Sequence, residues 1–255
     1  MADEVRLQIA DAVARITLSN PAIRNAMTWK MYGELDSACG EIVATGGVRV
    51  VVVRGEGRAF AAGTDIAQFT EFATADDGVE YERRIGAILG SLAALPMPTV
   101  AVVDGPAVGG GLAIAAMCDL VLATPESFFA VPIARTLGNC LSVSLLSRLY
   151  SGFGRPRTLA MLLTASRVAA EEARAAGFVH AVVDRAELDS AVDRLVERIG
   201  GSAPLTLAAV KAADRLLARD PVVDSDILRM CYGSRDFREG VKAFVQRRDP
   251  RWEGR

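Results

Sequence analysis

The run VRVVVVRG at residues 48–55 is apolar almost throughout and rich in β-branched valine, a pattern that suits a strand covered on both faces. A second run of this kind, TVAVVDG at residues 99–105, follows a helical pattern through RRIGAILGSLAAL and the stop PMP. Each run empties into a glycine-bearing loop, GEGRAFAAGTDI after the first and GPAVGGG after the second, and the second loop leads into the helical stretch LAIAAMC. Doubly buried strands alternating with helices demand a mainly parallel sheet with right-handed crossovers, so the expected fold class is α/β.

The flanking segments extend this pattern. VRLQIA and VARITLS, separated by Asp11 and Ala12, read as an opening hairpin. The stretch from Trp29 to Thr45 places Met31, Leu35, Ala38 and Ile42 at helical spacing, and Gly46 and Gly47 stop it. DLVLATP, SFFAVP and FVHAVV are strand candidates, and helices are expected around SVSLLSRLY, RTLAMLLTA and AAEEARAAG and from Leu188 to Ile199. The acidic segment QFTEFATADDGVEYERR reads as a solvated, mobile surface. After residue 199 only helical patterns remain, and Met230, Tyr232, Phe237, Val241, Phe244 and Val245 need cover from this chain's core or from a neighbouring subunit. The expected organisation is a core over residues 1–199 and a helical oligomerisation region over 200–255.

Composition narrows the function classes. With 51% hydrophobic and 24% charged residues and a net charge of −2, the chain is neither disordered nor a general nucleic-acid-binding surface. Cys39, Cys118, Cys140 and Cys231 form no CxxC pair and no metal-ligand spacing, which fits a reducing cytoplasm and no metal. The acidic opening MADEVRLQIA has no apolar stretch of leader length, and no apolar run reaches the length of a membrane span. Arg247, Arg248, Arg251 and Arg255 read as a solvated end or as phosphate contacts rather than as a nucleic-acid site.

The glycine loops carry the chemistry. GPAVGGG ends a strand and starts a helix, which leaves backbone N–H groups near Gly110 and Gly111 unpaired at the positive end of a helix dipole. FAAGTDI follows the preceding strand in the same way, and in a parallel sheet the C-terminal ends of neighbouring strands face one crevice. Two such loops can each aim an N–H at a single oxygen, and each donor is worth roughly 3 kcal/mol to a developing oxyanion.

Taken together, NPAIRNAMT, GRAFAAGTDI and GPAVGGGLAIAAMCDLVLAT resemble the successive motifs of the enoyl-CoA hydratase/isomerase (crotonase) family, and TASRVAAEEARAAGFVHAVV, DFREGVKAF and RDPRWEGR resemble its later segments in order. The resemblance implies a crotonase-like spiral of ββα units with a C-terminal helical trimerisation region, assembled as a homotrimer or hexamer. It implies an acyl-CoA thioester as substrate, with no further cofactor. The oxyanion donors it implies are the N–H groups of Thr64 and Gly110. Arg24, Ala26, Ala62, Asp65 and Ile66 fall where the family holds coenzyme A, Gly109 and Ala113 fall beside the thioester, and Lys242 is placed as a phosphate contact.

One departure stands out. Family hydratases add water with two glutamates, and aligning the motifs puts Ala113 at the first and Ile133, or Ala134 with a shifted insertion, at the second. None of these transfers a proton, so ordinary hydration is not expected. The remaining readings are a weak or inactive acyl-CoA binder and another reaction of the family, such as isomerisation or thioester hydrolysis. Among other acids, Asp65 and Asp119 read as structural, and Glu71 is the strongest outsider among Glu71, Asp76, Asp77 and Glu80. Cys140 at a helix start would gain thiolate character, although Asn139 as the cap and Cys140 as packing is the simpler reading. His180, the one histidine, reads as structural.

Overall fold

The computed structural model describes residues 3–217, 229 and 232–252. Its main sheet runs β1 (Glu4–Ala10), β2 (Val13–Ser19), β3 (Val50–Gly55), β4 (Thr99–Val103), β6 (Leu120–Ala123) and β9 (Ala181–Val182). Only the β1–β2 pair is antiparallel; the rest are parallel. The hairpin closes through Asp11 and Ala12, both at positive φ, which matches the right-handed strand twist. A second, three-stranded sheet joins β5 (Pro106–Val108), β7 (Phe128–Ala130) and β8 (Arg167–Ala169).

The valine run behaves as its composition demands. Val51 and Val53 join the larger core, together with residues of α1 (Trp29–Thr45), α2 (Ala75–Ala94) and α3 (Gly110–Met117). Val50 and Val52 turn the other way, with Val100, Val102 and Leu122, onto Leu188, Val192 and Leu195 of α8 (Leu188–Gly200). A sheet buried on both faces explains why the strands lack polar alternation. Between these lie α4 (Ile133–Thr136), α5 (Val143–Phe153), α6 (Arg155–Thr164) and α7 (Ala170–Ala176).

The structure corrects the reading in three places. α2 begins at Ala75, eight residues before the expected RRIGAILGSLAAL start, because Thr74 and Asp77 form a reciprocal capping box. The segment expected to be mobile surface is thus largely the first turns of a helix. FVHAVV shrinks to a two-residue strand because Phe178 and Val179 are spent closing α7, both donating to the Ala173 carbonyl.

The C-terminal helices pack on the chain's own core, one of the two covers expected for them. Lys211 of α9 (Pro204–Leu217) is buried and donates to the Met97 carbonyl at 3.0 Å and to Asp119. α10 (Arg235–Val245) packs over the 3-10 turn Ile66–Glu71 and α4, burying Phe237 and Val241 on the chain's own core, and Tyr232 is buried as well. Phe244 and Val245 stay exposed, and Met230 lies outside the described residues. No described helix is long and apolar enough to cross a membrane.

Candidate active site

The two glycine loops are knitted to each other and to the NPAIRNA loop. Buried Asn25, at φ 59°, accepts the Asn20 N–H at 2.9 Å and donates to the Ala59 carbonyl at 2.8 Å. The Ala62 N–H reaches the Arg24 carbonyl at 3.0 Å, and the Val108 N–H reaches the Ala61 carbonyl at 3.0 Å. At Gly111 an added Cβ would lie 2.2 Å from the Ala61 carbonyl oxygen, so only glycine lets the start of α3 press this closely on the first loop.

This stitching fixes the backbone at Thr64 and Gly110. Thr64 pairs with Met27 through its neighbours: the Met27 N–H bonds the Gly63 carbonyl and the Asp65 N–H bonds the Met27 carbonyl, each at 2.9 Å. In such a parallel bridge the Thr64 N–H itself points away from Met27. Gly110 is the first residue of α3, so its N–H has no partner within the helix. A Cβ built on Gly110 would stand 3.5 Å from the Thr64 nitrogen, so the start of α3 lies against the Thr64 backbone.

Both face a cavity of about 550 Å³, a size suited to a small-molecule ligand. Ala26, Ala62, Asp65, Ile66, Gly109, Ala113 and Ile133 line it. Ile133 rather than Ala134 faces the cavity, since Ala134 is exposed and off the lining. Arg24 is exposed and contributes its carbonyl to the loop rather than its side chain to the lining. Lys242 is exposed on an adjoining depression beside Phe69 and Phe237 and is off the lining of the main cavity.

The other candidates fall outside the chemistry. Asp65 caps the turn Ile66–Glu71 by accepting the Ala67 N–H at 3.1 Å. Asp119 binds the Thr99 N–H at 2.7 Å and pairs with Lys211. Glu71 is exposed and off the lining, Glu80 pairs with Arg83 at 2.6 Å, Asp76 pairs with Arg229 at 2.9 Å, and Asp77 serves the capping box. Ser142, not Asn139, caps α5, so Cys140 lies before the first turn and packs beside the core. Burial pushes the Cys39 and Cys118 thiols up to about 12, which keeps them protonated. His180 is exposed, its backbone N–H bonded to the Val121 carbonyl. Arg248 pairs with Glu239, and Arg255 lies outside the described residues.

The cavity also holds polar groups that the sequence reading did not single out. The Thr64 hydroxyl lies between the Tyr32 hydroxyl at 2.9 Å and the Tyr81 hydroxyl at 3.1 Å. Burial raises the Tyr32 phenol to about 12 and Tyr81 well above its usual range, so both stay neutral hydroxyls. On the same wall Tyr232 donates to the Glu82 carboxylate at 2.6 Å, and the Asn139 amide donates to the Tyr232 oxygen at 3.3 Å. The signal for Tyr81 and Glu82 was their helical spacing with Ile85 and Leu89, which a helix started at Arg83 cuts off.

The sequence profile of the enoyl-CoA hydratase/isomerase family matches residues 8–255. A probable enoyl-CoA hydratase of Mycobacterium tuberculosis is 32% identical over 251 residues, covering 96% of this chain and 97% of that protein. Among solved structures, an enoyl-CoA hydratase/carnitine racemase from Magnetospirillum magneticum superposes with a TM-score of 0.81 at 32% identity, covering 100% of this chain and 97% of that one. Methylmalonyl-CoA decarboxylase in complex with 2-nitronate-propionyl-CoA superposes with a TM-score of 0.89 at 25% identity, covering 98% of each chain. With a crotonase-type α/β fold throughout and a profile match over nearly its whole length, the chain belongs to the enoyl-CoA hydratase/isomerase family.

Proposed function

We propose that this protein binds an acyl-CoA thioester in the 550 Å³ cavity and stabilises its enolate, with the thioester oxygen held by the N–H groups of Thr64 and Gly110. The observation that supports this reading is the close approach of the Gly110 and Thr64 backbones on the lining of a cavity that is otherwise mainly apolar. Ala26, Ala62, Asp65 and Ile66 would flank the pantetheine arm, and Arg24 and Lys242 would meet only the part of coenzyme A that projects from the cavity. The thioester is the substrate, and the reading requires no resident cofactor. Ala113 and Ile133 on the cavity wall favour enolate chemistry, such as isomerisation or thioester hydrolysis, over water addition. They also favour a second reading, acyl-CoA binding without turnover. Calorimetry with several acyl-CoAs is expected to give micromolar or tighter affinity; no heat of binding at millimolar ligand would refute the assignment.

The oligomer belongs to the same reading. Leu205 is 83% and Val210 64% exposed on α9, and Phe244 is 51% exposed on α10, apolar side chains that a neighbouring subunit would cover. We infer a trimer or a dimer of trimers built through residues 200–255, which therefore serve both the chain's own core and its neighbours. Light scattering at micromolar concentration should report a multiple of three chains, and a monomer would contradict it.

A further inference from the structure

We propose that the end of the cavity remote from Gly110 and Thr64 is a carboxylate site, so that the acyl chain taken up carries an ω-carboxylate held by Arg148 and Arg215. The proposal rests on the acyl-CoA reading above and names the class of acyl chain.

Three observations carry it. First, Arg148 of α5 and Arg215 of α9 are the two cations on the described lining of a cavity whose wall is otherwise mainly apolar. A guanidinium on such a wall costs stability unless an anion meets it. Second, the chain leaves that need open. The Arg215 Nη1 is buried and has no hydrogen-bond partner. Arg148 approaches Asp214 at 3.4 Å, but that carboxylate is 65% exposed, and so solvated a pair contributes little. Two guanidinium groups against one solvated carboxylate leave this end of the cavity positive.

Third, the arginines lie at the right end. Lys211, one turn before Arg215 on α9, donates to the Met97 carbonyl and to Asp119, just past the C-terminal ends of α2 and α3, whereas Gly110 opens α3. From Gly110 to Met117, both on the lining, α3 rises about 10 Å, the reach of an extended acyl chain of about eight carbons. Gly86, Gly90 and Ala93 of α2 leave room for that chain along the way. A carboxylate at its tip would accept charge-assisted hydrogen bonds from both arginines, which offsets its loss of water.

The test compares suberoyl-CoA, whose chain ends in a carboxylate, with octanoyl-CoA, of the same length but ending in a methyl group, by calorimetry on the full-length protein. The wild type should bind suberoyl-CoA about 10–100-fold more tightly, the worth of hydrogen bonds to a charged group. Arg215→Gln should bring the two thioesters within about threefold of each other while octanoyl-CoA affinity holds. Arg215→Lys, which keeps the charge but not the planar fork, should retain part of the preference. Equal affinity for the two thioesters in the wild type, or a preference that survives Arg215→Gln, overturns the proposal. Parallel weakening of both thioesters in Arg215→Gln also overturns it, because the arginine would then serve coenzyme A or the fold. A wild type that binds neither thioester removes the acyl-CoA reading itself and this proposal with it, a failure distinct from binding both alike.

Discussion

Crotonyl-CoA hydration by this protein is expected to run at least about a thousandfold slower than in an enzyme that carries two acid/base glutamates, because a positioned group contributes roughly 10²–10⁴-fold. Adding water across the double bond needs one group to activate the water and another to manage the proton at the α-carbon. Ala113 is 3% exposed at the second turn of α3, and Ile133 opens α4; both face the cavity and neither ionises. Loss of enoyl-thioester absorbance measures the rate directly, and a rate near that of an ordinary hydratase would overturn the argument. Ala113→Glu combined with Ile133→Glu is the converse experiment. Hydration should rise if the scaffold is otherwise competent, and no gain would point to an acyl pocket reshaped for another substrate.

Replacing Gly110 should cost about 10²–10³-fold in any enolate chemistry, the loss seen when one oxyanion donor is removed or displaced. Two variants separate the causes. Gly110→Ala keeps the N–H but places a Cβ 2.4 Å from the Tyr32 hydroxyl and 2.9 Å from the Thr64 hydroxyl, so both must move. Those hydroxyls are tied together and to Tyr81, and the displacement spreads to the Thr64 loop. Gly110→Pro removes the donor outright, at the first position of α3, where proline is otherwise accepted by a helix. Adding Tyr32→Phe should relieve the alanine variant and leave the proline variant impaired. Deuterium exchange into 3-hexenoyl-CoA reads both, and equal recovery would show that the Gly110 N–H is not a donor to the substrate.

The fold was legible because its signals are local. The valine run, the Asp11-Ala12 turn and the stop at Gly46-Gly47 each act over a few residues, and their outcomes match β3, the hairpin and the end of α1. The two glycine loops that meet at the cavity were legible too, since a glycine loop at a strand end and a helix start is read from a few neighbouring residues. The start of α2 was obscured because the capping box Thr74–Asp77 lies inside an acidic run that resembles a solvated loop. The choice between Ile133 and Ala134 could not be made from the chain, because one residue of register in a loop turns the side chain from the cavity to solvent.

Residue types and their short-range spacing therefore determined the α/β class, the two glycine loops and the absence of ionisable groups at Ala113 and Ile133. Tertiary structure decided which polar groups share the cavity. Tyr32, Thr64, Tyr81, Glu82 and Asn139 come from α1, a loop, α2 and the approach to α5, with Tyr232 of the segment before α10 bonded behind them, and they meet only once the sheet is buried and the C-terminal helix closes over the turn Ile66–Glu71. The physical reason is range: helix and turn signals are set by neighbours in the chain, whereas a hydrogen-bonded pair such as Tyr232 and Glu82, 150 residues apart, exists only through packing that no local pattern encodes.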